Sequence, residues 1–475
     1  ALANLPVADL SLASDDLRKC LSGGVAFHSS DLDRDERMVI EQEFRKKESP
    51  LRVIIATTTL AMGINTPAEA IVIVGLEHPG PTPTAYTVAE YKNMVGRAGR
   101  LGFVDHGVSF LVALSPADEY RYWETYVRGT PEDLRSHFLS GETDVRSLIL
   151  RVLASAFDSV NGLTPDELVE FLDSSFGVFL ERQQRSNWAW EKGHIQSAIQ
   201  ELLNHGLIAQ DDQKRVKLTP LGRLSGEAGV EVESIVRLVS VLSHLPVESI
   251  TDPTLISAAQ LTIEVDSVLF PMNRKSTRKE PQAWHSVLAQ QGVAPAVMGN
   301  LSNWASEQHQ PTLRAKKAAA CLYWISDTPM KDIESALIQF GGAFGGAAGP
   351  VRSIASRTSD LLETVARVAE LTHDGFQVGD RLSRLTVRLQ VGVPGAMVGL
   401  AELFGNTLGR GDYLNLLAAG LRTQEALAAA TDNELATALG GESSSQKVRI
   451  IRETLKSQGD NTAVQPMVPL PKYEP

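Results

Sequence analysis

Two arginines near residue 100 have the types and the spacing of a phosphate-binding site. Arg97 and Arg100 are separated by alanine and glycine and directly follow a helix predicted over residues 86–95. Guanidinium groups donate paired hydrogen bonds to phosphate oxygens, and phosphoryl transfer requires positive charge where the transition state gathers negative charge. The pair therefore predicts a catalytic role in phosphoryl transfer. A charged surface turn is the alternative interpretation.

A hydroxyl-rich loop follows a predicted strand at residues 52–56. It begins with Thr57, Thr58 and Thr59 and continues to Pro67. Ligands bind at the carboxyl ends of strands in open parallel sheets, and threonine hydroxyls suit a nucleic-acid backbone or a nucleotide. Taken alone, three threonines are also explained by β-propensity or by turn chemistry.

A third segment, residues 24–32, contains His28 and precedes an acidic-basic helix. In this order and spacing, segments 24–32, 56–68 and 93–100 resemble motifs IV, V and VI of superfamily 2 DExH-box helicases. More narrowly, they are similar to the superkiller (Ski-like) group, which includes archaeal repair helicases. The chain differs from the group's pattern at Ser29, often a second histidine, and at Asn93, usually glutamine.

The resemblance implies a role for each matching residue. Arg97 and Arg100 would contact the γ-phosphate of ATP. Residues expected to bind ATP or to couple its state to strand movement are Gly63, Asn65, Asn93 and Gly96. Residues expected to hold the nucleic acid are His28, Thr57, Thr58 and Thr59.

Strands alternate with helices only up to about residue 116, which predicts an α/β parallel sheet followed by helical regions. The predicted fold is a RecA-like domain, then a winged helix, an all-α ratchet bundle and a helix-hairpin-helix. Helices followed by two short strands near residues 207–209 and 216–218 indicate the winged helix, while the RecA-like, ratchet and helix-hairpin-helix assignments are what the resemblance implies. The predicted boundaries are 1–117 for the second RecA-like motor domain, 118–223 for the winged helix with its leading linker, 224–375 for the ratchet domain, 376–457 for the helix-hairpin-helix region and 458–475 for a disordered tail.

The helix predicted from about Pro350 resembles the ratchet helix, which lies along single-stranded nucleic acid in the group. Arg352 and Ser356 share one of its faces. Arg314, Lys316 and Lys317 make residues 314–357 locally basic. Arg274 and Lys275 form a second candidate phosphate contact. For residues 314–357 the alternative is a solvated charged face. For Arg274 and Lys275 the alternative is a loop that binds nothing.

Residues 403–411 resemble the hairpin of a helix-hairpin-helix. Such a hairpin presents backbone N–H groups to a phosphate. Gly409 and Arg410 are therefore predicted nucleic-acid contacts. A tight turn between two helices explains the glycines equally well.

The printed chain contains neither a Gly-Lys-Thr/Ser phosphate loop nor an Asp-Glu pair followed by histidine. The group carries both in its first RecA-like domain, which would also hold Mg²⁺. We therefore predict the C-terminal part of an ATP-dependent helicase, translocating 3′ to 5′ on single-stranded nucleic acid and inactive without the first motor domain as partner. The alternative is a non-catalytic module that binds nucleic acid or a partner protein.

Composition and charge limit the kinds of protein that this chain can be. The 475 residues carry a net charge of −12, so nucleic-acid binding requires local basic surfaces. Two cysteines, no long apolar run and no basic-apolar leader predict a cytoplasmic protein without a membrane span. The helix-hairpin-helix resemblance favours DNA over RNA as the strand. DNA repair and antiviral defence both remain open.

Overall fold

A computed structural model describes residues 2, 5–46, 48–57, 68–78, 83–99, 106–133, 144–155, 162–190, 192–272, 279–339, 346–440 and 444–461. Seven site residues from the sequence analysis lie outside this part of the chain: Thr58, Thr59, Gly63, Asn65, Arg100, Arg274 and Lys275.

The first part of the chain alternates helices and strands, as the sequence predicts. Its elements are α1 (Leu12–Ser22), β1 (Val25–His28), α2 (Arg34–Phe44), β2 (Val53–Ala56), β3 (Ala70–Ile73), β4 (Glu77–His78), β5 (Thr84–Ala85), α3 (Val88–Val95), β6 (Val108–Leu111) and α4 (Pro116–Tyr122), followed by a π-helical turn, Trp123–Val127. The helix starts have chemical causes: α1, α2 and α3 each begin with a capping box that satisfies backbone N–H groups.

The main strands pair in parallel, which confirms the predicted strand direction. β1 pairs with β2 from Val25↔Val53 to His28↔Ala56, and β3 pairs with β6 from Ala70↔Val108 to Ile73↔Leu111. Among the described residues these are two separate two-stranded sheets rather than one. Each has its own apolar core, one around Leu17 and Ile40 and the other around Tyr91 and Tyr126.

The rest of the chain is helical apart from one hairpin. Its elements are α5 (Val145–Ser155), α6 (Pro165–Asp173), α7 (Phe176–Gln184), α8 (Lys192–Asn204), β7 (Ile208–Gln210), β8 (Val216–Leu218), α9 (Pro220–Ala228), α10 (Val232–Leu242), α11 (Asp252–Ala259), α12 (Ile263–Asp266), α13 (Lys279–Gln290), α14 (Pro295–Asn300), α15 (Gln310–Trp324), α16 (Met330–Ile338), α17 (Ala348–Thr372), α18 (Asp380–Val391), α19 (Val398–Phe404), α20 (Arg410–Ala418), α21 (Gln424–Ala429), α22 (Asp432–Ala438) and α23 (Ser445–Asn461). Helix α23 extends past residue 458, where the sequence analysis placed the start of a tail.

One apolar core joins α5 to α18, so the predicted winged-helix and ratchet regions share buried contacts. A smaller core holds the C-terminal helices together around Phe404, Tyr413 and Leu435. Helix α17 is the central element of the larger core, and fourteen of its residues are buried. The long helix predicted from about Pro350 is therefore present and rigidly packed.

The basic surface predicted between residues 314 and 357 is wrong for its first three members. Arg314, Lys316 and Lys317 are at most 2% exposed. Arg314 forms a paired contact with Asp266 at 2.7 and 2.9 Å, and the Lys316 ammonium lies 2.9 Å from the Glu280 carboxylate. Helix α15 directs these cations into the core, where they bind carboxylates and carbonyl groups of the chain. They are unavailable to a nucleic acid.

Because Lys317 is buried, the free energy of unfolding is expected to depend on pH. Burial lowers the pKa of its ammonium to about 8 in the folded chain, from 10.5 in its ordinary environment. Between these pH values the unfolded chain holds a proton that the folded chain has released, so stability rises with pH through this window. Relative to Lys317→Met, the wild type is expected to gain about 2–3 kcal/mol between pH 8 and pH 10.5. Urea unfolding of both proteins at the two pH values checks this; an unchanged difference would contradict it.

Among the described residues, no single helix is long and apolar enough to cross a membrane. One pair bent by 98°, Asp380–Val391 with Gly395–Thr407, meets the criterion by length and composition alone.

Candidate nucleic-acid and nucleotide site

Helix α3 delivers the first predicted arginine. It ends at Gly96, and Arg97 follows in a turn, half-buried, while Asn93 and Gly96 are exposed. The Gly99 N–H donates to the Ala68 carbonyl at 3.1 Å, and the Ala68 N–H donates to the Arg97 carbonyl at 3.4 Å. Ala68 ends the segment that resembles motif V. The structure therefore places the ends of two separately predicted motifs side by side.

Gly99 is fixed by its backbone. Its φ of +70° is left-handed, and a Cβ there would lie 2.4 Å from the backbone nitrogen of Gly107. Only glycine fits this close approach. The glycine of the Arg-Ala-Gly-Arg sequence is thus explained by local packing, and it turns the chain immediately after Arg97.

A segment that sequence reasoning missed positions α3. The Glu132 carboxylate accepts hydrogen bonds from the Val88 and Ala89 N–H groups at 2.7 and 3.0 Å, and these bonds lower the Glu132 pKa. At the other end of the helix, the Lys92 ammonium donates to the Val127 carbonyl at 2.8 Å. Residues 123–132 therefore hold α3 at both ends. No periodicity or motif marks Glu132 in the sequence.

His28 is buried inside the first core, contrary to its predicted contact with nucleic acid. Its side chain is 1% exposed, and Nε2 lies 3.2 Å from Glu41 Oε1. Burial lowers the pKa of the ring, which favours the neutral form. His28 therefore links β1 to α2. Thr57 is exposed at the end of β2, and its N–H donates to the His28 carbonyl at 3.3 Å.

A cavity of about 610 Å³ is lined by residues that the sequence analysis assigned to separate sites. Residues from the sequence analysis that line it are Arg352, Ser356, Gly409 and Arg410. The other walls come from residues 6–9, from the start of α2, and from the end of α18. The ratchet-like helix and the hairpin-like turn, which the sequence treats as separate sites, thus border one space.

Arg352 lines the cavity and also forms hydrogen bonds to the first part of the chain. Its Nη1 donates to the carbonyl oxygens of Ser30, Asp31 and Leu32 at 3.1–3.2 Å. Within the described part of the chain, its Nη2 and Nε have no hydrogen-bond partner. Arg352 therefore has donors left for a phosphate. Ser356, one turn further along α17, is exposed on the same side.

Arg410 is a structural residue, contrary to its predicted role. Its guanidinium donates to Asp9 Oδ2 at 2.7 Å and stacks 4.8 Å from the ring centre of Trp324. Further hydrogen bonds go to the carbonyl oxygens of Trp324, Ser326, Thr328 and Gly392. Each of its three nitrogens thus has an acceptor within the chain, and the side chain is only 5% exposed, so Arg410 is not directed at a phosphate.

The backbone N–H of Gly409 is also hydrogen-bonded within the chain. Its N–H donates to Asp412 Oδ2 at 2.9 Å, so this amide does not grip a phosphate as predicted. Gly411 instead explains the local sequence, because a Cβ there would lie 2.7 Å from Ala8. The glycines let the hairpin pack against the N-terminal segment.

Two further arginines face the cavity and were missed by the sequence analysis. Arg34 and Arg37, in the first turns of α2, line the space, and neither has an ion-pair partner among the residues the structure describes. Lys447 also borders it but binds Asp412 at 2.8 Å. Both follow the segment that resembles motif IV, but the sequence alone did not show where their helix points.

The comparisons with known proteins define the class. Residues 9–102 match the Helicase conserved C-terminal domain. This match supports the predicted RecA-like fold for residues 9–102.

Longer similarity extends to particular helicases. The chain is 26% identical over 438 residues to the ATP-dependent DNA helicase Hel308 of Pyrobaculum calidifontis, covering 92% of this chain and 56% of that protein. It is 27% identical over 434 residues to the Hel308 of Caldivirga maquilingensis, covering 89% and 54%. The chain spans about half the length of these relatives. The predicted resemblance to the C-terminal half of an archaeal repair-type helicase is confirmed.

Proposed function

We propose that this chain is the strand-gripping and arginine-bearing part of an ATP-dependent helicase that moves 3′ to 5′ on single-stranded DNA. The observation that carries the proposal is the shared cavity, in which Arg352 and Ser356 of α17 meet Arg34 and Arg37 of the helicase domain. Asp9 and Asp412 also line it but pair with Arg410 and Lys447, so Arg34, Arg37 and Arg352 face only Asp33 and Asp35 and leave a small excess of positive charge. Basic side chains around a channel bind a phosphate backbone without regard to sequence. DNA is favoured over RNA because the relatives are named DNA helicases.

The nucleotide chemistry in this proposal is divided between two parts. Arg97 and Arg100 would stabilise the γ-phosphate during transfer, with Gly63, Asn65, Asn93 and Gly96 nearby. ATP and Mg²⁺ would be held by a first motor domain that carries the phosphate loop. Guanidinium groups fit that phosphate-facing role. When bound, Mg²⁺ would supply charge neutralisation on the β- and γ-phosphates.

Exposed apolar side chains on two strands support a partner of this kind. Val53 and Ile55 of β2 and Phe110 of β6 are 50%, 65% and 54% exposed. Parallel strands are normally covered on both faces. A first motor domain packed against the second would cover apolar surface on this part of the chain.

The helical regions complete the proposal. Helices α5 to α9 with the β7–β8 hairpin would form the winged helix, α10 to α17 the ratchet bundle, and α18 to α23 the helix-hairpin-helix region. Under this assignment α17 lies along the strand. The biological role would be DNA repair or defence against invading DNA.

Strand binding in the cavity predicts a clear contrast between two serines of α17. Ser356→Glu places a carboxylate in the cavity and is expected to weaken single-stranded DNA binding about tenfold at low salt. Ser353→Glu is the matched control, because Ser353 is exposed on the same helix and does not line the cavity. Fluorescence anisotropy with labelled DNA and RNA strands, repeated over a salt series, measures both. Equal effects of the two substitutions would contradict the assigned path.

A further inference from the structure

The first turn of α17 is joined to the helicase domain by polar contacts that sequence reasoning did not reveal. The Gly349 N–H donates to Asp31 Oδ1 at 2.8 Å, and Arg352 donates to three carbonyl groups of residues 30–32. Residues 29–32 connect β1 to α2. The contacts therefore connect the ratchet-like helix directly to the segment that resembles motif IV. We refer to these contacts as the α17 joint.

Glu334 strengthens the α17 joint from a third element. This fully buried side chain of α16 accepts from the Ala347 and Ala348 N–H groups at 2.7 and 3.1 Å through Oε1. Through Oε2 it accepts from the Leu12 N–H at the start of α1, at 2.7 Å. One carboxylate thus holds the N-termini of two helices, where its negative charge also interacts favourably with both helix dipoles.

Helix α17 and residues 29–32 pack too closely to admit a side chain at Gly349. A Cβ at Gly349 would lie 2.5 Å from the Ser30 hydroxyl oxygen and 2.8 Å from the Ser30 carbonyl carbon. The backbones of α17 and of residues 29–32 are therefore in direct contact. A joint made of charged hydrogen bonds and touching backbones resists both sliding and rotation.

We propose that the α17 joint transmits force between the strand-gripping helix and the second motor domain, with Asp31, Glu334 and Gly349 as positioning residues. This inference rests on the proposed function, because it assumes that a strand binds along α17. Arg352 contributes to the strand site and to the joint at the same time. A strand that binds Arg352 therefore also tightens residues 30–32, and a movement of the motor domain carries the strand with it.

Gly349→Ala tests the α17 joint with a single methyl group. The substitution removes no polar group and favours the helix intrinsically, so any loosening comes from the contact with Ser30. Gly299→Ala is the matched control: it is also a helical glycine, and a Cβ there meets nothing within 4 Å. In the free chain, amide hydrogen exchange of residues 29–32 is expected to rise about tenfold in Gly349→Ala and to stay unchanged in Gly299→Ala.

The same experiment with single-stranded oligodeoxythymidine tests the transmission itself. In the wild type, the strand is expected to slow exchange in residues 29–32 as well as in the first turn of α17. In Gly349→Ala, the bound strand slows exchange in α17 only. Equal exchange in the two free glycine variants, or undiminished protection of residues 29–32 in strand-bound Gly349→Ala, overturns the inference. Failure of the wild type to bind the strand overturns the proposed function, while the free-chain comparison still decides whether the joint exists.

Discussion

Replacing Arg410 with alanine is expected to lower the free energy of unfolding by about 3–5 kcal/mol. The substitution leaves the Asp9 carboxylate, 7% exposed, without its cation, and it removes donors from four carbonyl groups. Asp9 itself holds α16 by accepting from the Met330 N–H at 2.7 Å. The loss should therefore loosen the C-terminal helices and the N-terminal segment together. Equilibrium urea unfolding measures it.

Arg367→Ala is the control for this prediction. Arg367 is 54% exposed and pairs with Glu370 three residues along the same helix, so its removal should cost no more than about 0.5 kcal/mol. A loss below about 1 kcal/mol for Arg410→Ala would contradict the structural role assigned to Arg410.

Removing either motif VI arginine is expected to reduce ATP hydrolysis by about 10³-fold once a first motor domain is supplied. The test protein is a fusion of this chain to a RecA-like domain that carries a phosphate loop. Arg97→Ala and Arg100→Ala each remove a cation from the developing phosphate charge and leave the cavity unaltered. Strand affinity should therefore remain within about twofold of the parent fusion.

Arg357→Ala provides the matched control, because Arg357 is a part-exposed arginine of α17 that does not line the cavity. It should preserve both activities. A parallel loss of hydrolysis and strand binding in Arg97→Ala or Arg100→Ala would contradict the division of roles between the arginine motif and the cavity.

Local patterns in the sequence sufficed for much of the fold. β-branched runs predict β2 and β3, and the parallel pairing follows from the alternation of strands and helices. The helix after Gly349 is predicted by its periodicity. Each of these signals lies within a few residues of the structure it predicts.

The direction in which charged side chains point could not be read in the same way. Arg314 and Arg410 look like surface cations because their partners, Asp266 and Asp9, are distant in sequence. His28 matches a helicase motif yet lies in a core. Long-range packing decides whether a cation is buried or faces a ligand, and a single sequence shows no long-range contact.

Long-range packing also explains why the sequence analysis missed several residues. Glu132 acts on α3 from more than forty positions away, and Glu334 meets Leu12 only after the helical bundle has folded onto the first part of the chain. Arg34 and Arg37 line a cavity whose other walls include α17 and the start of α20. Such contacts exist only in the folded structure.

Photocrosslinking of a 4-thiothymidine-containing DNA strand to the purified chain, with mass-spectrometric mapping of the attached peptides, tests the central claim most directly. The cavity path predicts crosslinks in the first turns of α2, around Arg34 and Arg37, and on α17 around Arg352 and Ser356. Crosslinks confined to residues 162–228, around the β7–β8 hairpin, would contradict it.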